Sequence, residues 1–96
     1  MSDAKKTEEF YARLKTQLED SFAWPSLYLF KFIVPTNPDK IKAFSEIFAN
    51  TDATINNRES SKGTYTSVSV KTTMESPQAV IDKYLEVSNI EGVISL

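Results

Sequence analysis

The chain has 96 residues, 41% hydrophobic and 25% charged, which fits one globular domain. Eleven Lys and Arg against 13 Asp and Glu give a net charge of −2 and a pI of about 5.1, so no basic footprint for nucleic acid or anionic membrane is present. Cys and His are both absent, which excludes disulfides, thiolate chemistry, Ser-His and Cys-His catalysis and nearly all zinc sites.

The charges are evenly spread. Residues 1–48 carry seven of each sign, and residues 49–96 carry four basic and six acidic. The start, Met1-Ser2-Asp3-Ala4-Lys5-Lys6, lacks the apolar stretch of a signal peptide. No apolar run approaches the roughly 18 residues of a spanning helix. The expectation is a soluble, cytoplasmic protein without a cofactor.

Residues 1–6 are polar and expected to fray. Thr7-Glu8-Glu9 reads as a helix start, a cap hydroxyl followed by two acids that complement the helix dipole. Phe10, Leu14 and Leu18 follow at spacing four with Tyr11 beside them, one apolar stripe on a helix. Ala23-Trp24-Pro25 ends it, because the residue before Pro avoids helical backbone. The tail and helix occupy residues 1–23, and the domain proper runs over 24–96.

Leu27 to Val34 is the strongest strand, aromatic and β-branched with a single charge, and its apolar residues on both faces make it central. Pro35-Thr36-Asn37-Pro38 stops it, with Asn37 as helix cap and Pro38 as first helical residue. Ile41, Phe44, Ile47 and Phe48 give the stripe of a helix over 38–49. Asn50-Thr51-Asp52 is a turn. Ala53 to Glu59 is polar and poorly patterned, an edge strand. Ser60-Ser61-Lys62-Gly63 is a hairpin connection with Gly63 available for a positive φ. Thr64 to Thr73 alternates: Val68 and Val70 point one way, and Tyr65, Ser67, Ser69 and Lys71 point the other. Ser76-Pro77 repeats the Asn37-Pro38 device 39 residues on. Val80, Ile81, Tyr84 and Leu85 form the next stripe, over 77–88. Asn89 to Gly92 turns, and Val93 to Leu96 is a short last strand.

The order is one helix followed by two β-α-β halves. Joined by a hairpin with right-handed crossovers, the halves give a four-stranded antiparallel sheet of order 4-1-3-2 backed by two helices, the α+β ferredoxin-like βαββαβ fold. Lys31 is the one charge of the first strand, so its face is the open one. Tyr28, Phe30, Phe32 and Val34 then meet the helices with Val68 and Val70. Leu29 and Ile33 remain on the open face, where two large aliphatics want cover. The N-terminal helix or a second subunit are the two candidates.

From Trp24 onward the chain resembles the YbeD-like family of small bacterial proteins of unknown function. The carrying residues are Trp24-Pro25-Ser26, Tyr28-Leu29-Phe30-Lys31 and the run Ser60-Ser61-Lys62-Gly63-Thr64-Tyr65-Thr66-Ser67-Val68-Ser69-Val70, which is similar to the family's SSKG-x-Y-x-S-V-S signature. The resemblance implies a ferredoxin-like domain similar to ACT-type regulatory domains. It implies no reaction.

Two sets of residues are candidate binding sites. The first is the turn Ser60, Ser61, Lys62, Gly63 with Tyr65, whose backbone N–H groups, hydroxyls and Lys could cradle an anion. Its plainer reading is a hairpin turn with a Gly chosen for φ and Ser oxygens serving the backbone. The second is the open-face row Lys31, Ser67, Ser69 and Lys71, a mildly basic platform for a ligand or partner. Its plainer reading is the wetted face of an antiparallel sheet.

The Pro35–Pro38 loop lacks the Gly of an ACT effector turn, and the Arg that acylphosphatase chemistry on this fold would need. Lys62-Gly63 is not followed by the alternating aromatics of an RNA-recognition strand, so no nucleic acid is expected. The reading is a small non-catalytic regulatory or protein-interaction module, with a homodimer or protein partner first and a small ligand at Ser60–Tyr65 as the alternative.

Overall fold

The computed structural model describes the backbone of residues 2–96 and the side chains from Glu8 onward. The chain runs α1 (Ser2–Ser21), β1 (Ser26–Pro35), α2 (Pro38–Ile47), β2 (Thr54–Glu59), β3 (Tyr65–Met74), α3 (Pro77–Val87) and β4 (Ile94–Ser95). The sheet order is β2-β3-β1-β4, with every neighbouring pair antiparallel. This is the ferredoxin-like arrangement expected from the pattern, with an extra N-terminal helix.

Both inner helices begin as their sequences dictate. The Asn37 side chain accepts from the N–H groups of Asp39 and Lys40, at 2.9 and 3.3 Å, and Pro38 opens α2. Ser76 Oγ accepts from Ala79 N–H at 3.1 Å, and Pro77 opens α3. Each cap satisfies N–H groups that the helix itself leaves without partners. Neither helix has a basic residue in its last turn. Lys83 of α3 supplies one to α2 from outside: its Nζ donates to the Ile47 carbonyl at 2.6 Å and sits 5.5 Å from the Phe48 ring centroid.

The core follows the expected alternation. Phe30, Phe32, Val34, Val68 and Val70 are fully buried against Phe44 of α2 and Val80 of α3. Register explains it: Phe30 pairs with Val70 and Phe32 with Val68, so all four share one face. Phe30, Phe32 and Tyr84 meet edge to face, with centroids 5.2 and 5.9 Å from Tyr84.

Three expectations are corrected. Helix α1 starts at Ser2, not at Thr7, because residues 2–6 contain no Gly or Pro and Ala and Lys are strong helix formers. The cap hydroxyl assigned to Thr7 lies outside the described side chains. The buried stripe of α1 turns by one residue: Tyr11, Leu14 and Leu18 face inward, and Phe10 is exposed. On α3, Leu85 is exposed and Val87 takes its place in the core, since Val80, Tyr84 and Val87 follow at spacings of four and three on one helix face.

The position of α1 decides the outer surface. It packs against α3, in the helix layer, with Leu18 in the core and Trp24 Nε1 donating to the Leu18 carbonyl at 3.1 Å. It does not cover the open face of the sheet. Burial of Tyr11, Leu14 and Leu18 against the helix layer removes apolar area on both sides of the contact.

A carboxylate clip closes the β2–β3 hairpin at the end opposite its turn. Asp52 accepts from Thr72 Oγ1 at 2.6 Å, Thr73 N–H at 2.9 Å and Thr73 Oγ1 at 2.7 Å. Thr72 hydroxyl donation, followed by the two Thr73 bonds, lowers its pKa from 3.8 to about 2. A depressed carboxylate contributes stability that is present above its unfolded pKa and lost as pH falls through the folded one. Melting temperature followed from pH 5 down to pH 2 should therefore fall more steeply for the native chain than for Asp52→Asn. Parallel curves would show that the clip does not couple to folding.

Candidate functional site

Strand alternation and register assemble the open face. Along β3 the outward residues are Tyr65, Ser67, Ser69 and Lys71. Across β1, Lys31 lies opposite Ser69, Ile33 opposite Ser67 and Leu29 opposite Lys71. Across β2, Asn56 lies opposite Ser69, Arg58 opposite Ser67 and Thr54 opposite Lys71. The candidate row Lys31, Ser67, Ser69 and Lys71 is therefore one connected surface. Asn56 and Arg58 belong to it as well, and the sequence reading missed them. They sit in a strand whose only partly buried residue is Ile55, too little alternation to show which way it faces.

The face has two lanes. On the β2–β3 side it is polar and basic. Lys31, Arg58, Ser67, Ser69 and Asn56 line a shallow groove of about 430 Å³. On the β1–β4 side it is apolar apart from Lys31, which stands between Leu29 and Ile33. Leu27 and Leu29 precede Ile33 along β1, and Ile33 pairs with Ile94. Leu96 continues this lane, held by its N–H on the Lys31 carbonyl at 2.9 Å. Among the described residues no carboxylate pairs with the cations of the polar lane: the one ion pair, Lys83–Glu86, lies on α3.

The turn candidate is organised differently. Ser60 N–H donates to the Tyr65 carbonyl and Gly63 N–H to the Ser60 carbonyl, each at 2.8 Å. Ser60 Oγ accepts from Tyr65 N–H at 3.3 Å. Gly63 has φ of +71°, the left-handed conformation that a tight hairpin needs. The Ser60 and Gly63 N–H groups and a lone pair of the Ser60 hydroxyl are thus engaged in closing the hairpin. Ser61 and Lys62 are exposed at its tip, and Tyr65 joins the outward row of β3.

The Pro35–Pro38 loop is also bound internally. Thr36 N–H donates to the Thr64 carbonyl at 3.0 Å, and Thr36 Oγ1 and Thr66 Oγ1 are 2.9 Å apart. Among the described residues, no group of three or more Asp and Glu is placed to hold a metal ion. No helix among them is long and apolar enough to cross a membrane.

The chain can now be set beside known proteins. A family model described as "Protein of unknown function (DUF493)" matches residues 19–96. A "UPF0250 protein" of Shewanella halifaxensis is 32% identical over 83 residues, covering 83% of this chain and 94% of the relative. A "UPF0250 protein" of Shewanella oneidensis is 31% identical over the same shares. No solved structure matches at comparable significance. The matched span takes in the whole sheet, both inner helices and the Ser60–Val70 signature run, and by that match the chain belongs to the DUF493 family, the YbeD-like group of small bacterial proteins of unknown function.

Proposed function

We propose that this protein is a non-catalytic interaction module, regulatory in the sense that it acts by binding, and that its first partner is a second copy of itself. The observation that carries this reading is the apolar lane left bare by the placement of α1. Leu27, Leu29, Ile94 and Leu96 are 55%, 49%, 53% and 68% exposed on one side of one face. Grouped exposure of large aliphatics is what monomer surfaces avoid and interfaces use.

The two-lane layout favours a copy over an unlike partner. A two-fold relation that stacks lane on lane buries mainly aliphatic side chains and leaves Arg58 and Lys71 toward the rims. Lys31, which stands between Leu29 and Ile33 on β1, lays its methylene stem along the lane and carries its ammonium out to the water at the lane's edge.

Light scattering across a dilution series tests this. The native chain should pass from dimer to monomer on dilution. Leu29→Lys, which places a charge in the middle of the lane, should weaken the dimer about thirtyfold or more, the effect of losing one hot-spot residue of about 2 kcal/mol. A native chain monomeric at every concentration would overturn the reading. A dimer insensitive to Leu29→Lys but lost in Asn56→Pro would move the interface to the β2 edge.

A further inference from the structure

A second cavity lies on the helix side of the sheet and reaches the β4 edge at Leu96. It has a volume of about 200 Å³ and sits where the first half of α1 approaches the sheet. Phe10, Tyr11 and Leu14 line it from α1, Tyr28 from β1, Tyr84 from α3, and Ser95 of β4 with the following Leu96 from the sheet edge. Three features of this cavity define an occupant.

The first is size. An engineered apolar cavity of about 150 Å³ in another protein holds benzene, so this volume takes one substituted ring and no more. The second is the lining. Four of the seven lining residues are aromatic, and they offer ring edges and faces to a planar guest. The third is the hydroxyl pair at the wall. Tyr28 Oη and Tyr84 Oη are 3.0 Å apart. One phenol donates to the other, and that single bond uses one of the two protons. The second proton remains for another acceptor. Burial, reinforced by the Tyr28 bond, raises the Tyr84 pKa, so this phenol stays protonated and keeps its capacity to donate.

We infer that this cavity is a binding site for a small neutral monocyclic aromatic molecule bearing a carbonyl or comparable oxygen acceptor, which the Tyr28–Tyr84 pair receives as hydrogen-bond donor. Such a guest meets aromatic walls with its ring and the spare hydroxyl with its oxygen. A purely hydrocarbon ring would fill the space and leave that hydroxyl without a partner. An anionic guest is disfavoured, because no Lys or Arg among the described side chains lines the cavity.

The test uses acetophenone and toluene as probes, titrated into the isotopically labelled full chain and followed by amide chemical shifts. Acetophenone should shift amides of Tyr11, Tyr28, Tyr84 and Ser95. It should bind about five- to tenfold more tightly than toluene, the value of one hydrogen bond. The double variant Tyr28→Phe/Tyr84→Phe, which removes both phenol protons, should erase that preference while leaving toluene binding in place. Ser95→Phe, a substitution at an exposed strand position, should block both probes by filling the cavity without disturbing the core. Absence of shifts with either probe at millimolar concentration would overturn the inference, as would shifts that Ser95→Phe leaves unchanged. Equal affinity for the two probes would overturn the acceptor requirement.

Discussion

Phe32→Ala should lower the unfolding free energy by about 3–5 kcal/mol, the range for truncating a buried Phe. Phe32 is fully buried and ties three elements together. From β1 its ring lies 5.3 Å from Phe44 of α2 and 5.9 Å from Tyr84 of α3, and it stacks on Phe30 at 6.0 Å with an interplanar angle of 13°. Rings fixed on three separate elements cannot collapse into the gap together, so the cavity term persists. With a total stability of roughly 5–15 kcal/mol for a domain, the variant is left with little margin. Its melting temperature should fall by about 12 °C or more. Leu85→Ala is the informative control. Leu85 has the spacing of a core residue but is 44% exposed, and its truncation should cost only about 1 kcal/mol or less. Urea unfolding of the two variants side by side checks the assignment. Equal losses would mean that α3 is rotated from the position described.

The two glycines should respond unequally to alanine, although both have positive φ, +71° at Gly63 and +82° at Gly92. At Gly63 a Cβ would meet only the Glu59 carboxylate oxygen, at 3.8 Å. Gly63→Ala therefore carries the backbone term alone, about 1–2 kcal/mol. At Gly92 a Cβ would lie 2.9 Å from Cγ and 3.1 Å from Cδ of Pro35. A proline ring cannot swing aside as a flexible side chain does, so a steric term adds to the backbone term. Gly92→Ala should cost about 2–4 kcal/mol. The consequence extends past stability. Gly92 delivers the chain to β4, whose Ile94 pairs with Ile33 on the open face. Moving it should loosen β4, expose the Lys31 carbonyl that holds Leu96, and weaken self-association along with folding. Unfolding curves and amide exchange at Leu96 would show both effects. Identical behaviour of Gly63→Ala and Gly92→Ala would contradict the contact with Pro35.

The candidate site was partly legible in the sequence. Alternation in Thr64–Thr73 placed Ser67, Ser69 and Lys71 on one face, and the single charge of β1 oriented Lys31 to the same side; register confirmed that they are neighbours. Arg58 and Asn56 were not legible, because an edge strand with one half-buried residue carries no periodic signal and is oriented only by its hydrogen bonds to β3. The Ser60–Gly63 turn announced its conformation through Gly63. What the turn does with its polar groups depended on where Tyr65 stands, and that is fixed by the hairpin as a whole.

By itself the sequence determined the α+β class, the element order, the strand order, both proline-led helix caps and the inward face of β1 and β3. All of these rest on local periodicity, capping chemistry and the handedness of crossovers, which act over a few residues or one β-α-β unit. Only the tertiary structure decided where α1 goes. Its apolar stripe says that it must be covered, not by what: both the open face and the helix layer offered apolar partners, and the choice turns on packing between residues far apart in the chain. That choice sets Phe10 outward and encloses the cavity beside Tyr28 and Tyr84. It also leaves Leu27, Leu29, Ile94 and Leu96 in solvent, and on that bare lane the proposed function rests.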